Sequence, residues 1–243
     1  MLRVLLVLAL SALTASTAWA LPVGVDDFED GTTAGWHVGP SSPVPPVNVS
    51  TGGPAGIDDA YLQLQALGGD GPGSRLSVLN VSQWTGDFTS VAGIGMDVNN
   101  FGPDEVVLRL LFVNFPDAPG PPTDVAWTLT PVVVPAGSGW NLVGFSLDPA
   151  NLFAPFGTVA GALSDVDELR IFHNPEPFFG GPNIGAPPVT VTLGVDNIGV
   201  ILETTPIPEP SSMLLMLAGL GAGARKMFRG KTYRRSGTSA MQR

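Results

Sequence analysis

The chain has 243 residues, 44% of them hydrophobic and only 13% charged, with 31 Gly, 24 Pro and no cysteine. Without cysteine there is no disulfide scaffold, thiol nucleophile, iron–sulfur ligation or zinc finger, and so few charges rule out a disordered polyelectrolyte. The net charge of −10 is uneven: residues 21–210 hold all 21 acids against Arg75, Arg109 and Arg170, whereas residues 211–243 hold seven basic residues and no acid. Three arginines cannot supply the cationic footprint that nucleic acid requires, so nucleic acid is excluded as a partner. Divalent cations are the natural counterions of such a body.

In chain order, Arg3 precedes an apolar run from Val4 to Leu13, and Ala18-Trp19-Ala20 follows. A positive start, a short hydrophobic core and an A-x-A site form a secretory signal peptide over residues 1–20, leaving a mature chain from Leu21. The run is too short for a permanent span, which takes about 20 apolar residues.

Residues 21–203 carry short apolar runs of period two between Gly/Pro/Asp clusters. Ile94, Met96 and Val98 alternate with small or polar neighbours. Leu108, Leu110 and Phe112 share one face of a strand and put Arg109 on the other. Further strands are expected at Val125/Trp127/Leu129, Val143/Phe145/Leu147, Leu169/Ile171 and Val189/Val191/Leu193. Nine or ten strands and no sustained helical period predict one all-β domain, an antiparallel β-sandwich of the jelly-roll kind.

The C-terminal region has three parts. A proline-rich linker over 204–210 contains Pro208-Glu209-Pro210, followed by Ser211. Residues 211–228 are mostly apolar or small and are predicted to form a short transmembrane helix. Arg225, Lys226, Arg229, Lys231, Arg234 and Arg235 form a basic stop, with 229–243 as a cytoplasmic tail. This order resembles the PEP-CTERM sorting signal of Gram-negative bacteria. The resemblance implies recognition by an exosortase at the inner membrane, processing near the Pro-Glu-Pro motif, and release to the envelope or an extracellular polysaccharide matrix.

A second resemblance lies in the body. Val25-Asp26-Asp27-Phe28-Glu29-Asp30-Gly31-Thr32 with Gly35-Trp36, Tyr61-Leu62-Gln63-Leu64, and Leu193-Gly194-Val195-Asp196-Asn197-Ile198 resemble the first, second core and closing strands of galactose-binding-like jelly rolls, which include many carbohydrate-binding modules. That family implies a structural Ca²⁺ tying the first strand to the last. Carried over, its ligands are Glu29, Asp59 (or Asp58) and Asp196, completed by main-chain oxygens.

Sugar sites on such folds use exposed aromatic rings. The body offers Trp36, Trp84, Trp127, Trp140 and Tyr61; Trp36 and Trp127 are expected in the core, Trp84 and Trp140 at the surface as candidate sugar platforms, against the alternative that all of these rings simply pack. His37 and His173 are expected to be hydrogen-bonded structural residues, and no nucleophile motif is present. The sequence therefore predicts an exported, non-catalytic envelope or matrix protein; the alternatives are a carbohydrate-binding module and, third, a glycoside-active enzyme.

Overall fold

The computed structural model describes residues 24–116, 119–176 and 187–202. The chain divides into two units, Met1–Glu203 and Thr204–Arg243, and every described residue belongs to the first. The signal segment 1–20, the linker 204–210 with Pro208, Glu209 and Pro210, Ser211, the helix expected over 211–228 and the basic tail lie outside the described residues. Among those described, no helix is long and apolar enough to cross a membrane.

The described residues form eleven strands: β1 (Val47–Val49), β2 (Tyr61–Leu67), β3 (Ser77–Asn80), β4 (Val91–Asn100), β5 (Val106–Asn114), β6 (Asp124–Thr128), β7 (Val132–Val134), β8 (Asn141–Ser146), β9 (Leu152–Phe156), β10 (Glu168–His173) and β11 (Thr190–Leu202). One sheet has the order β1-β2-β11-β4-β8; the other has the order β3-β10-β5-β6-β9, with β7 on the remaining length of β5. All pairings are antiparallel. The chain changes sheet between β2 and β3, β3 and β4, β4 and β5, β7 and β8, β8 and β9, and β10 and β11. This wrapping makes the sandwich a jelly roll. Among the described residues one short α-helix, α1 (Val159–Ser164), starts where the Thr158 hydroxyl accepts from the Gly161 amide at 2.9 Å.

The alternation works as expected on the long strands. Ile94, Met96 and Val98 of β4 meet Leu108, Leu110 and Phe112 of β5 in the core between the sheets, all fully buried. Opposite Cβ directions along a strand put these residues on one side, and their β-branched or bulky shapes fill a pleated surface well. Arg109 does point to the other face of β5, yet it is only 2% exposed. Its guanidinium donates to the main-chain oxygens of Thr128, Leu129, Asn174 and Pro175. It thus stitches β5 to the end of β6 and to the turn after β10.

Two expectations are corrected. Residues 25–32 are not a strand. Asp26 makes one two-way backbone bridge to Ile198 (2.9 and 3.1 Å), and the chain then turns, with φ of 56° at Phe28 and 48° at Ala34. The Asp27 and Asp30 carboxylates accept from the amides of Glu29 (3.3 Å) and Thr32 (2.8 Å). Such local side-chain bonds take amides that a strand ladder would use.

The phase of β6 is also reversed. Phe112 faces the core and pairs with Ala126, so Ala126 and Thr128 face inward and Val125 and Trp127 outward. Trp127 is buried in a second apolar cluster with Leu111, Val113, Val125 and Phe172, while Leu129 is 37% exposed. Both faces of β6 carry buried residues, so alternation alone could not tell inside from outside.

Candidate functional site

The first sheet turns one face away from the core, and an aromatic cluster sits on it. Tyr61 opens β2, Phe101 follows β4 and Trp140 precedes β8. Ring centroids are 5.2 Å apart for Tyr61–Trp140, 5.9 Å for Tyr61–Phe101 and 6.1 Å for Phe101–Trp140, and both Trp140 pairs are edge-to-face. The Trp140 indole N–H donates to the Gly52 carbonyl at 2.9 Å, which fixes the ring. Beneath lies Gly194 of β11, where a Cβ would come within 2.7 Å of Trp140 and 3.0 Å of Phe101. Glycine is required there because the rings approach the strand backbone itself. Tyr61 is nearly covered, Trp140 half-buried and Phe101 exposed.

Amides flank these rings. Gly194 pairs with Gln63 of β2 on one side and with Asn99 of β4 on the other. The three positions form a row across the sheet on the face that carries Tyr61, since residues two apart share a side. Among the described residues neither the Gln63 nor the Asn99 side chain makes a hydrogen bond, although Asn99 is almost fully covered. Rings beside unpartnered amides offer apolar surface together with donors and acceptors. Of this group the sequence reading named only Trp140 for sugar. Tyr61 is among the aromatics the sequence offers, while no motif in the sequence singles out Phe101, Gln63 or Asn99 for this role. The period-two pattern that puts Leu62 and Leu64 inside was the available signal for Gln63.

Trp84, expected at the surface, is completely buried. Its indole N–H and that of Trp36 both donate to the same Asp26 carboxylate oxygen at 2.8 Å, and the Gln83 amide donates to the other at 2.6 Å. The two indoles lie 6.3 Å apart at 44°. The Ser-Gln-Trp-Thr-Gly stretch looked like a surface turn because its partner, Asp26, is 58 residues away. Trp84 therefore cannot touch a ligand.

The carboxylates named for calcium surround the bulge in β11. Asp196 is 1% exposed and accepts from the Asn197 amide at 2.7 Å. Burial is the largest force raising its carboxyl; the Asn197 amide pulls it down, and the charges of Asp59, Asp97 and Glu29 push it up again, to about 7. Glu29 accepts from the Ala60 amide at 2.8 Å and Asp59 from the Ala55 amide at 2.5 Å. Asn197, held at φ 50°, donates to Asp97 at 3.0 Å and to Asp196 at 3.3 Å. Glu29, Asp59 and Asp196 are thus electrostatic neighbours, and Asp58 makes no contribution to that shift. Among the described residues no three His, Asp or Glu side chains form a group that could hold a metal ion. Glu29 and Asp59 are instead turned onto backbone amides.

The histidines are structural. His173 Nδ1 accepts from the Val107 amide at 2.9 Å, and burial lowers its pKa. His37 Nδ1 lies 3.0 Å from the Gly35 carbonyl.

No family model matches the sequence, and no curated protein matches it. Solved structures of similar shape include a family 11 carbohydrate-binding module from Clostridium thermocellum in complex with a β-1,3-1,4-mixed-linked tetrasaccharide (18% identity, TM-score 0.46, covering 72% of this chain and 92% of that one). The family 11 module of the cellulosomal cellulase Lic26A-Cel5E from the same organism matches at 17% identity and TM-score 0.48, covering 74% and 95%. An endo-β-1,4-glucuronan lyase from Trichoderma reesei matches at 13% and 0.36, covering 74% and 95%. These likenesses are distant.

Proposed function

We propose that this protein is an exported, non-catalytic polysaccharide-binding sandwich, and that the outer face of its first sheet is the binding surface. The observation that supports this is the meeting of Tyr61, Phe101 and Trp140 with the unpartnered amides of Gln63 and Asn99. Sugar rings have faces of weakly positive C–H groups that pack against the negative faces of aromatic rings, and their hydroxyls need donors and acceptors such as amides. Affinity electrophoresis of the full chain in gels containing neutral or acidic polysaccharides tests the reading. Retardation is expected for at least one polysaccharide, with a drop of tenfold or more in apparent affinity for Trp140→Ala and Phe101→Ala. Equal retardation of Trp140→Ala and the unaltered chain in every polysaccharide would overturn it.

Delivery is the second part of the proposal and rests on the ends of the sequence: export by residues 1–20 and exosortase processing near Pro208-Glu209-Pro210. Mass spectrometry of the mature protein should find residues 211–243 removed; their retention in cells with active exosortase would count against it. The case for calcium rests on charge. A cation beside Asp196 would relieve repulsion among Glu29, Asp59 and Asp97, and Glu29 and Asp59 would have to leave their amides to reach it. A melting temperature that rises with millimolar Ca²⁺, but not in Asp196→Ala, is the expected result.

A further inference from the structure

At the opposite end of β2 from the aromatic cluster lies a pocket of about 350 Å³, the lower end of the usual size for small-ligand sites. Tyr61 begins the strand and Leu67 ends it, so the two places are about 20 Å apart along β2 at ~3.3 Å per residue. The chain approaching β1, the β2–β3 loop, the start of β3 and Pro188 before β11 line this half-open pocket, and its chemistry is set by Ser41, Ser42, Asp70, Ser74, Arg75 and Ser77.

Two observations make this more than a surface hollow. The first is Arg75. Of the three described arginines, Arg109 is spent on main-chain carbonyls and Arg170 is paired with Glu168. Among the described residues the Arg75 side chain, exposed at the pocket, makes no hydrogen bond or ion pair, even though it belongs to a strongly acidic body and Asp70 lines the same pocket. A guanidinium left open beside hydroxyls is a fork set for a planar anion.

The second is Ser74. The residue is only 5% exposed and its hydroxyl has no partner. No fully enclosed side-chain oxygen or nitrogen among the described residues lacks a hydrogen bond, so this hydroxyl keeps a path to solvent on a residue that lines the pocket. Its position is set by the backbone: the Ser74 amide donates to Gly71 at 3.3 Å, its carbonyl accepts from Val189 at 3.0 Å, and Leu67 donates to Gly73 at 2.7 Å.

We infer that this pocket is a separate subsite for a single sugar unit bearing a carboxylate, a uronic acid. The guanidinium of Arg75 takes the carboxylate through two N–H groups. The Ser74 hydroxyl and the Asp70 carboxylate take ring hydroxyls, with Ser41, Ser42 and Ser77 around them. A bare anion would leave Asp70 facing it unfavourably, whereas a hydroxylated acid satisfies both charges. The assignment does not depend on the aromatic face.

The test is calorimetric titration of the full-length chain with D-glucuronic acid, D-glucose, acetate and inorganic phosphate. Saturable glucuronate binding is expected, at least tenfold tighter than glucose or acetate. Arg75→Gln should weaken it tenfold or more, Ser74→Ala several-fold, and Trp140→Ala should leave it unchanged. Arg75 is exposed, so its variant should keep the parent melting temperature, and a folded Arg75→Gln that binds glucuronate normally would overturn the proposal. Equal affinity for glucuronate and glucose would also overturn it, as would acetate or phosphate binding as tightly as glucuronate. Retardation by polysaccharide that persists while glucuronate fails would leave the aromatic face standing alone.

Discussion

Two tryptophans with similar local sequence meet opposite fates in this fold. Trp84 and Trp140 both lie in short stretches of Gly, Ser, Thr and Asn between strands. Trp84 is sealed in the core because Asp26, brought in by its bridge to Ile198, offers its indole a carboxylate. Trp140 finds only the Gly52 carbonyl and a glycine floor on an outer face, and remains half open. A buried indole needs an acceptor, so where the chain delivers one from far away decides whether a tryptophan is sealed in the core or stays part-open on a sheet face.

The largest expected effect is at the sealed ring. Trp84→Ala should cost about 3–5 kcal/mol, the usual price of deleting a core aromatic, and lower the melting temperature by roughly 10 °C. A loss under about 1 kcal/mol by chemical denaturation would mean the burial contrast is wrong. Next is the acceptor: Asp26→Ala leaves two buried indole N–H groups unpaired, at about 1 kcal/mol or more each. Replacing Trp36 and Trp84 by Phe in that background should recover part of the loss, since no indole then needs a partner.

A smaller effect concerns Asp196, on the same outer face as Trp140. Its folded carboxyl titrates at about 7, above the ordinary 3.8. A raised folded value means the stabilising contribution is complete below about pH 4 and disappears as pH rises through about 7. Asp196→Asn should therefore flatten the fall in melting temperature between pH 5 and 8, by roughly 5 °C. Parallel pH curves for the variant and the parent would refute the repulsion described around it. The smallest effect is Trp140→Ala itself, about 1 kcal/mol from two edge-to-face pairs on a half-open ring. A loss as large as that of Trp84→Ala would erase the distinction between the two.

The sheets were legible in the sequence because β4 and β5 alternate cleanly, apolar inward. β6 was legible as a strand but not in phase, since Val125 and Trp127 are as buried outside as Ala126 is inside. The segment from Val25 to Thr32 misled because its strand-like residues are interrupted by Asp27 and Asp30, whose side chains close turns. On the proposed binding face, Trp140 could be named from its setting between Gly139 and Asn141. Gln63 and Asn99 gain meaning only when Gly194 brings them into line from three strands. Arg75 carried no local signal at all, because its pocket is assembled from loops some 30 residues apart.

One feature of the first sheet bears on mechanics. β11 is its middle strand, hydrogen-bonded to β2 on one side and β4 on the other, and Leu202 is the last described residue at its end. Any tether attached beyond that residue would pull lengthwise on a strand flanked on both sides. Tension would then load many rungs in shear together instead of peeling an edge rung by rung, so the sheet would resist a pull on that end far better than its edge strands could.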